Sequence, residues 1–217
     1  MPRVPADRRR EQLVAATIDL AIEEGLPAAS VRRIAERANV SLGVVHYCFS
    51  SKEALINAVA ESFLNPIIGP VAEALRDVAD EPMEVKARAA VQTFWDTTIA
   101  DPGRQLLSYE LASWSIRGDG EAARLLYKTY LDVIEDFLGD GLGIEGTEEM
   151  STRTLARMAL TLTDGAMLAW LVDRDDAATA EVVQSYLAML LSFIDQAVKS
   201  GKMTVRGAPP AQEHAAV

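Results

Sequence analysis

The sequence predicts an all-α chain of about nine helices, a small three-helix N-terminal domain ahead of a larger helical one. Helical spacing of apolar residues runs nearly throughout. Strand signals are almost missing: Asp119-Gly120 and Asp140-Gly141, the dipeptides that often close hairpins, both sit between helical patterns. Near the N-terminus two short capped segments follow a longer first helix and are separated by a tight turn.

Residues 8–24 read as the first helix, with Leu13, Ala16, Leu20 and Ala21 at helical spacing and Gly25 able to cap the end. Leu26-Pro27-Ala28-Ala29 is a connector. Ser30 caps a short helix over 31–37 whose Val31, Ile34 and Ala35 face inward. Ala38-Asn39-Val40 is a tight turn in which Asn39 can take the left-handed conformation. Ser41 caps a second short helix over 42–48. Ser50-Ser51-Lys52-Glu53 reads as a capping box, with the Ser50 hydroxyl and the Glu53 carboxylate satisfying free backbone N–H groups. It opens a fourth helix, which Pro66 and Pro70 kink or interrupt. Further helices are expected near 83–100, 104–117, 120–138, 151–173 and 178–200. Residues 139–146, rich in glycine, read as a flexible loop, and residues 201–217 as a disordered tail.

Composition sets limits on function. With 217 residues and 49% apolar content, the chain can bury a sizeable core. No uninterrupted apolar run reaches the length of a membrane span, and no apolar leader follows the first residues. A single cysteine, Cys48, points to a reducing cytoplasm. The net charge of −11 is unevenly spread. Residues 1–52 carry eight bases (Arg3, Arg8, Arg9, Arg10, Arg32, Arg33, Arg37, Lys52) against six acids, a net +2, and the remainder carries −13. A basic head on an acidic body is what a chain needs if only the head meets phosphate, although an uneven solvated surface gives the same pattern.

Two short helices joined by a tight turn and stacked on a longer one make a helix-turn-helix, whose second short helix enters the major groove. On that helix Val45 and Phe49 suit the core, with Cys48 beside them. Leu42, Gly43, Val44, His46 and Tyr47 share the other side. Exposed apolar groups there gain nothing from water, whereas thymine methyls give them a partner. Phosphate contacts are expected from Ser30, Ser41, Arg32, Arg33, Lys52 and the Tyr47 hydroxyl, and Arg8, Arg9 and Arg10 can reach the backbone or a minor groove. The stretches Ser30-Val31-Arg32-Arg33-Ile34-Ala35-Glu36-Arg37-Ala38-Asn39-Val40-Ser41 and Val45-His46-Tyr47-Cys48-Phe49-Ser50-Ser51-Lys52-Glu53-Ala54-Leu55 resemble the DNA-binding domain of the tetracycline-repressor (TetR) family. Departures fall on the reading surface: Asn39 where Gly is usual, Leu42 where Lys is frequent, Val44 where Thr is frequent, and Cys48 and Ser50 for an aromatic and a Pro. Fewer polar base contacts follow.

The resemblance implies a head over 8–55, with its motif at 31–50, and a ligand-binding and dimerisation body over 56–200. Leu162-Thr163-Asp164-Gly165-Ala166-Met167-Leu168 and Leu111-Ala112-Ser113-Trp114 are similar to the choline-responsive, BetI-like subgroup. Phe94, Trp95, Tyr109, Trp114, Tyr127, Met158, Met167 and Trp170, with Glu110 or Asp164 as polar groups, are as a cluster candidate walls of an effector pocket, chiefly on the resemblance, although any one of them taken alone is more often ordinary core. Converging rings and an acid suit a cationic small molecule. The last helix carries two apolar stripes. Val182, Tyr186, Met189, Phe193 and Ala197 are assigned to a homodimer interface; Val183, Leu187, Leu190 and Ile194 form the other stripe. The resemblance suggests that helices 151–173 and 178–200 pair with their copies.

The function implied is a ligand-responsive repressor that leaves a palindromic operator when a small molecule binds, with the fourth helix as lever. A helical protein-interaction module without specific DNA binding is the alternative. Enzymatic chemistry has no centre: the histidines are His46, on the recognition helix, and His214, in the tail. No cofactor or metal is expected, since the 139–146 loop lacks calcium-loop spacing.

Overall fold

The computed structural model describes residues 5–206; the first four residues and 207–217, which include Arg3, His214 and most of the expected tail, lie outside them. The helices are α1 (Ala6–Glu24), α2 (Val31–Arg37), α3 (Leu42–Cys48), α4 (Lys52–Ser62), α5 (Asn65–Asp77), α6 (Met83–Ile99), α7 (Pro102–Ile116), α8 (Glu121–Asp136), α9 (Thr152–Asp173) and α10 (Asp176–Lys199). Among the described residues the count of about nine holds if α4 and α5 are taken together as Lys52–Asp77. The residues fall into two compact units. One contains residues up to Pro66 with Thr97–Thr129, the other Ile67–Asp96 with Tyr130 onward.

In the first unit α1 packs against α2, α3, α4 and α7. Leu13, Leu20, Ile34, Val45, Phe49 and Leu55 close its core. Gly25, at φ 83°, ends α1, and Leu26–Ala28 forms a 3₁₀ turn before α2. Asn39 takes the left-handed backbone, φ 52°, that the turn requires. The α7 helix crosses α1 closely: a Cβ on Gly103 would lie 2.6 Å from Ile22 Cγ2. The cap of α4 is shifted by one residue from expectation. Ser51, not Ser50, is the cap: its backbone is extended and its hydroxyl accepts from the Ala54 amide at 3.1 Å. Glu53 still turns back on this terminus. Bonds from its own amide and from the Ser51 hydroxyl hold its carboxyl below the ordinary value.

The second unit is built on α9 and α10, which pack on each other. Leu131, Leu155, Leu160, Leu187, Ile194 and Met203 are among its buried core. Two sequence expectations change here. Residues 137–141 continue past α8 as a π turn and lead into β1 (Ile144–Gly146). β1 pairs antiparallel with β2 (Met203–Val205), in the register Ile144↔Val205 and Gly146↔Met203. The expected flexible loop and the start of the expected tail therefore form a two-stranded clip. Burial of Ile144 and Met203 stabilises it, and so do bonds from the Arg206 amide to the Gly143 carbonyl and from the Thr147 hydroxyl to the Lys202 carbonyl. Lys52–Asp77, α9 and α10 are long and apolar enough to cross a bilayer by length and composition. Their apolar side chains in part form the cores of the units.

Candidate functional site

The reading surface begins with α3. Seven residues give barely two turns, so one arc faces the core and the other faces out. Val45, Cys48 and the following Phe49 are buried. Leu42 is 47% and Tyr47 74% exposed, and Gly43 and His46 lie open beside them. Val44 departs from its expected place. It is half-buried and packs against the core of the head, because two residues along a helix, about 200°, carry it from Leu42 toward Cys48. The outward set is therefore Leu42, Gly43, His46 and Tyr47, with His46 and the Tyr47 hydroxyl as its polar groups. Ser41 caps α3 by backbone shape alone, and its hydroxyl makes no cap bond; the Ser30 hydroxyl accepts from the Arg33 amide at 3.4 Å.

The basic residues divide into two kinds. Arg10 donates to the Cys48 carbonyl and lies 4.2 Å from the centre of the Phe49 ring, which anchors α1 to the end of α3. Arg33 pairs with Glu24, and Arg37 with Glu23. These guanidinium bonds hold both carboxyls below the ordinary range. Arg32 makes only an exposed helical pair with Glu36 at 3.0 Å, and Lys52 is half-exposed at the start of α4. Sequence spacing could not separate these groups, because the acids that engage Arg33 and Arg37 lie nine and fourteen residues away on α1.

The expected pocket residues fall in both units. In the second, Trp95 and Trp170 are buried and meet edge to face, ring centres 6.2 Å apart. Trp170 is held further: its Nε1–H donates to Asp176 Oδ1 at 2.7 Å, and Arg174 lies 4.5 Å from its ring centre. Met167 is buried and Phe94 half-buried. Burial pushes the Asp164 carboxyl up to about 6. Met158 leaves the set. It lies nine residues, about two and a half turns, from Met167, and so sits on the opposite, exposed side of α9. In the first unit Trp114 and Tyr127 are partly exposed and Tyr109 is half-buried. Glu110 accepts from the Leu26 amide at 3.2 Å and so ties α7 to the 3₁₀ turn that precedes α2. A groove of about 300 Å³ beside β1, lined by Glu135, Asp140, Glu145 and Arg206 among others, shares no residue with the expected pocket. Among the described residues no group of three His, Cys, Asp or Glu is placed to hold a metal.

The α10 residues assigned to a dimer face do not all point away from their own core. Ala197 is buried in the core of its own unit and Phe193 packs against it, as do Leu187, Leu190 and Ile194. Tyr186 is half-buried. Val182 and Met189 remain exposed on α10, and Met158, Leu168 and Val172 on α9.

A family model, "Bacterial regulatory proteins, tetR family", matches residues 13–59, the segment that folds into α1 to α4. The HTH-type nicotine-responsive transcriptional repressor HdnoR of Paenarthrobacter nicotinovorans is 29% identical over 80% of this chain and 89% of its own length. The HTH-type transcriptional regulator BetI of Burkholderia mallei is 31% identical over 49% of this chain and 53% of its own length. A transcriptional regulator from Rhodococcus sp. Rha1 has a solved structure that superposes with TM-score 0.63 at 26% identity, covering 86% of this chain and 96% of that one. These relatives are regulators and indicate no enzymatic family, and the alternative of a helical interaction module finds no support among them. The head of the chain, residues 13–59, matches the tetR family of bacterial regulatory proteins, and the chain as a whole is similar to HTH-type transcriptional regulators with a helical body.

Proposed function

We propose that this regulator is a cytoplasmic homodimeric repressor, that residues 8–55 of each copy read one half of a palindromic operator, and that residues 56–200 bind a small molecule that releases it. One observation carries the DNA side of the reading: α3 turns Leu42, His46 and Tyr47 outward from a head whose own core is closed without them. Leu42 and Tyr47 there supply apolar surface and His46 a base-edge hydrogen bond. Ser30, Ser41, Arg32 and Lys52 flank the helix as phosphate partners. Arg33 supports the head through Glu24.

On the effector side, Trp95, Trp170, Met167 and Phe94 offer apolar wall, and Asp164 offers a carboxylate in poorly hydrated surroundings. Tyr109, Trp114 and Tyr127 are candidates for the same role in the first unit. Glu110 serves instead to position the head. This chemistry suits an organic amine, and HdnoR is named for its response to nicotine.

The test is a gel shift with the DNA upstream of the chain's own gene, titrated with salt and with nicotine as the first amine. The expected results are sequence-specific, salt-sensitive binding weakened by the amine, and a Tyr47→Ala protein that melts like the native one but binds roughly tenfold more weakly. Binding indifferent to sequence would overturn the DNA reading. Operator affinity unchanged by every amine that binds the body would overturn the release mechanism.

A further inference from the structure

Besides its apolar contact with α1, the α7 helix holds the head by two polar bonds to backbone. Arg104 Nε donates to the Phe63 carbonyl at 3.2 Å, at the end of α4, and its guanidinium lies 5.0 Å from the centre of the Phe63 ring. Two turns along α7, Glu110 Oε2 accepts from the Leu26 amide at 3.2 Å. That amide is the first past Gly25, whose positive φ turns the chain out of α1. The later amides of this connector bond within it, Ala28 to the Gly25 carbonyl and Ala29 to that of Leu26, whereas the Leu26 amide goes across to α7. Acids are disfavoured beside a helix C-terminus, where free carbonyls carry partial negative charge. This carboxylate is therefore placed for its bond and not for its charge.

The connector leads through Ala29 to Ser30, the cap of α2, and α3 packs on α2. Leu107 and Leu111 of α7 are buried, but apolar contact has no preferred direction and lets packed helices lean. A hydrogen bond weakens steeply away from its line and so fixes an angle. We propose that Glu110 is a positioning residue for DNA binding. By holding the Leu26 amide it sets the angle at which α2 and α3 leave α1, although it lies on another helix and never meets DNA. In a dimer an angle held in each head becomes a distance between the two reading helices, so Glu110 determines which half-site spacing the protein prefers. Residues 97–129 fold with the head, while α6 and α8, which flank α7, both run on into the second unit. The chain beyond the head thus reaches α2 through α7 as well as through α4. This inference rests on the DNA-binding and dimer readings above.

Operator spacing provides the test. Native protein first selects its binding sequence from random duplexes. The selected pair of half-sites is then remade with one base pair more and with one fewer between them, each step turning one half-site by roughly 35° about the DNA axis. In fluorescence anisotropy native protein should bind the altered duplexes about tenfold more weakly than the selected one. Glu110→Ala removes the acceptor, and Glu110→Asp keeps the charge on a side chain one methylene shorter. Both should discriminate by about threefold or less, because the angle is no longer held. Glu110→Gln, whose side-chain carbonyl accepts the same bond, should discriminate like native protein. A purely structural role lowers affinity for every duplex by one factor and leaves the ratio between them unchanged. A native ratio in the alanine and aspartate proteins therefore overturns the proposal, and so does loss of the ratio in the glutamine protein. The aspartate and glutamine proteins decide the matter even if the alanine protein does not fold. If native protein selects no sequence, the DNA reading fails; if it selects a single half-site, the dimer reading fails; in either case this proposal falls with it.

Discussion

At the scale of single residues, two side chains carry predictions. Leu42 is 47% exposed and has no polar atom, so within a groove its preferred partner is a thymine methyl. Removing one buried methyl costs about 0.8 kcal/mol, roughly fourfold in affinity. An operator with deoxyuridine replacing thymine, one position at a time, should therefore bind native protein roughly fourfold more weakly at the position Leu42 covers. Leu42→Ala should lose that sensitivity there and keep it elsewhere; equal sensitivity in both proteins would remove Leu42 from the readout. Asp164 makes a prediction in pH. Burial raises its carboxyl from 3.8 to about 6, so the folded chain holds this proton more tightly than the unfolded chain. The penalty for ionising it is absent below about pH 4, grows as pH rises through 6, and is complete above. At about 1.4 kcal/mol per pH unit, partly relieved by residual solvent contact, this group lowers stability at pH 7 by on the order of 2 kcal/mol. Asp164→Asn should melt at a higher temperature than native protein at pH 7.5, and the gap should close by pH 4. A gap that does not change with pH would show that desolvation of the carboxylate is not its cause. Glu23, Glu24 and Glu53, all held below their ordinary values, lose stability on acidification in both proteins and cancel in the comparison.

At the scale of elements, the head was legible because its signals are local. Ser30, Gly25 and Asn39 mark their boundaries by backbone chemistry alone, and α2 and α3 begin and end where those residues predict. Strand pairing between β1 and β2 was not legible. Its partners lie about sixty residues apart, and three-residue strands have too few positions to show alternation. The inward turn of Ala197 and Phe193 on α10 was hidden for a related reason. A helix apolar on more than one side does not say which side its own core takes, and burial of Leu187, Ile194 and Ala197 decides it. What remains outward on α9 is Met158, Gly165, Leu168 and Val172, spaced seven, three and four; on α10, Val182 and Met189 lie seven apart with Ser185 between. That heptad-like spacing suits a helix from a second copy, and Gly165, where a Cβ would meet nothing within 4 Å of its own chain, allows close approach. Met189→Glu and Gly165→Leu should each shift sedimentation from dimer to monomer at micromolar concentration while far-ultraviolet circular dichroism stays native-like. A dimer that persists in both proteins would place the interface elsewhere.

At the scale of the whole molecule, charge sets how the chain meets DNA, and the body's −13 opposes the approach that the head's +2 permits. The head's bases are not equally available. Arg10, Arg33 and Arg37 hold the head together through Cys48 and Phe49, Glu24, and Glu23. Arg8, Arg9, Arg32 and Lys52 are left, with Arg3 outside the described residues; of these Arg9 bonds the neutral Gln12 and Arg32 the exposed Glu36. Each phosphate neutralised contributes about −0.9 to the slope of log affinity against log salt. Five groups per head, doubled in a dimer, therefore limit the slope to about −9. If the three engaged arginines also moved onto phosphate, the same rule gives about −14. Anisotropy titrations across salt concentrations distinguish these values directly. Lys52→Gln should make the slope shallower by about 2 in the dimer, whereas Arg33→Gln should leave it unchanged and lower the melting temperature, since that arginine braces α2 against α1. A native slope of about −12 or steeper would mean that the pairs with Glu23 and Glu24 open on DNA. The head would then tighten on its operator by exchanging internal ion pairs for phosphate, and any effector that stabilised those pairs would be a repressor-releasing ligand without touching the reading helix.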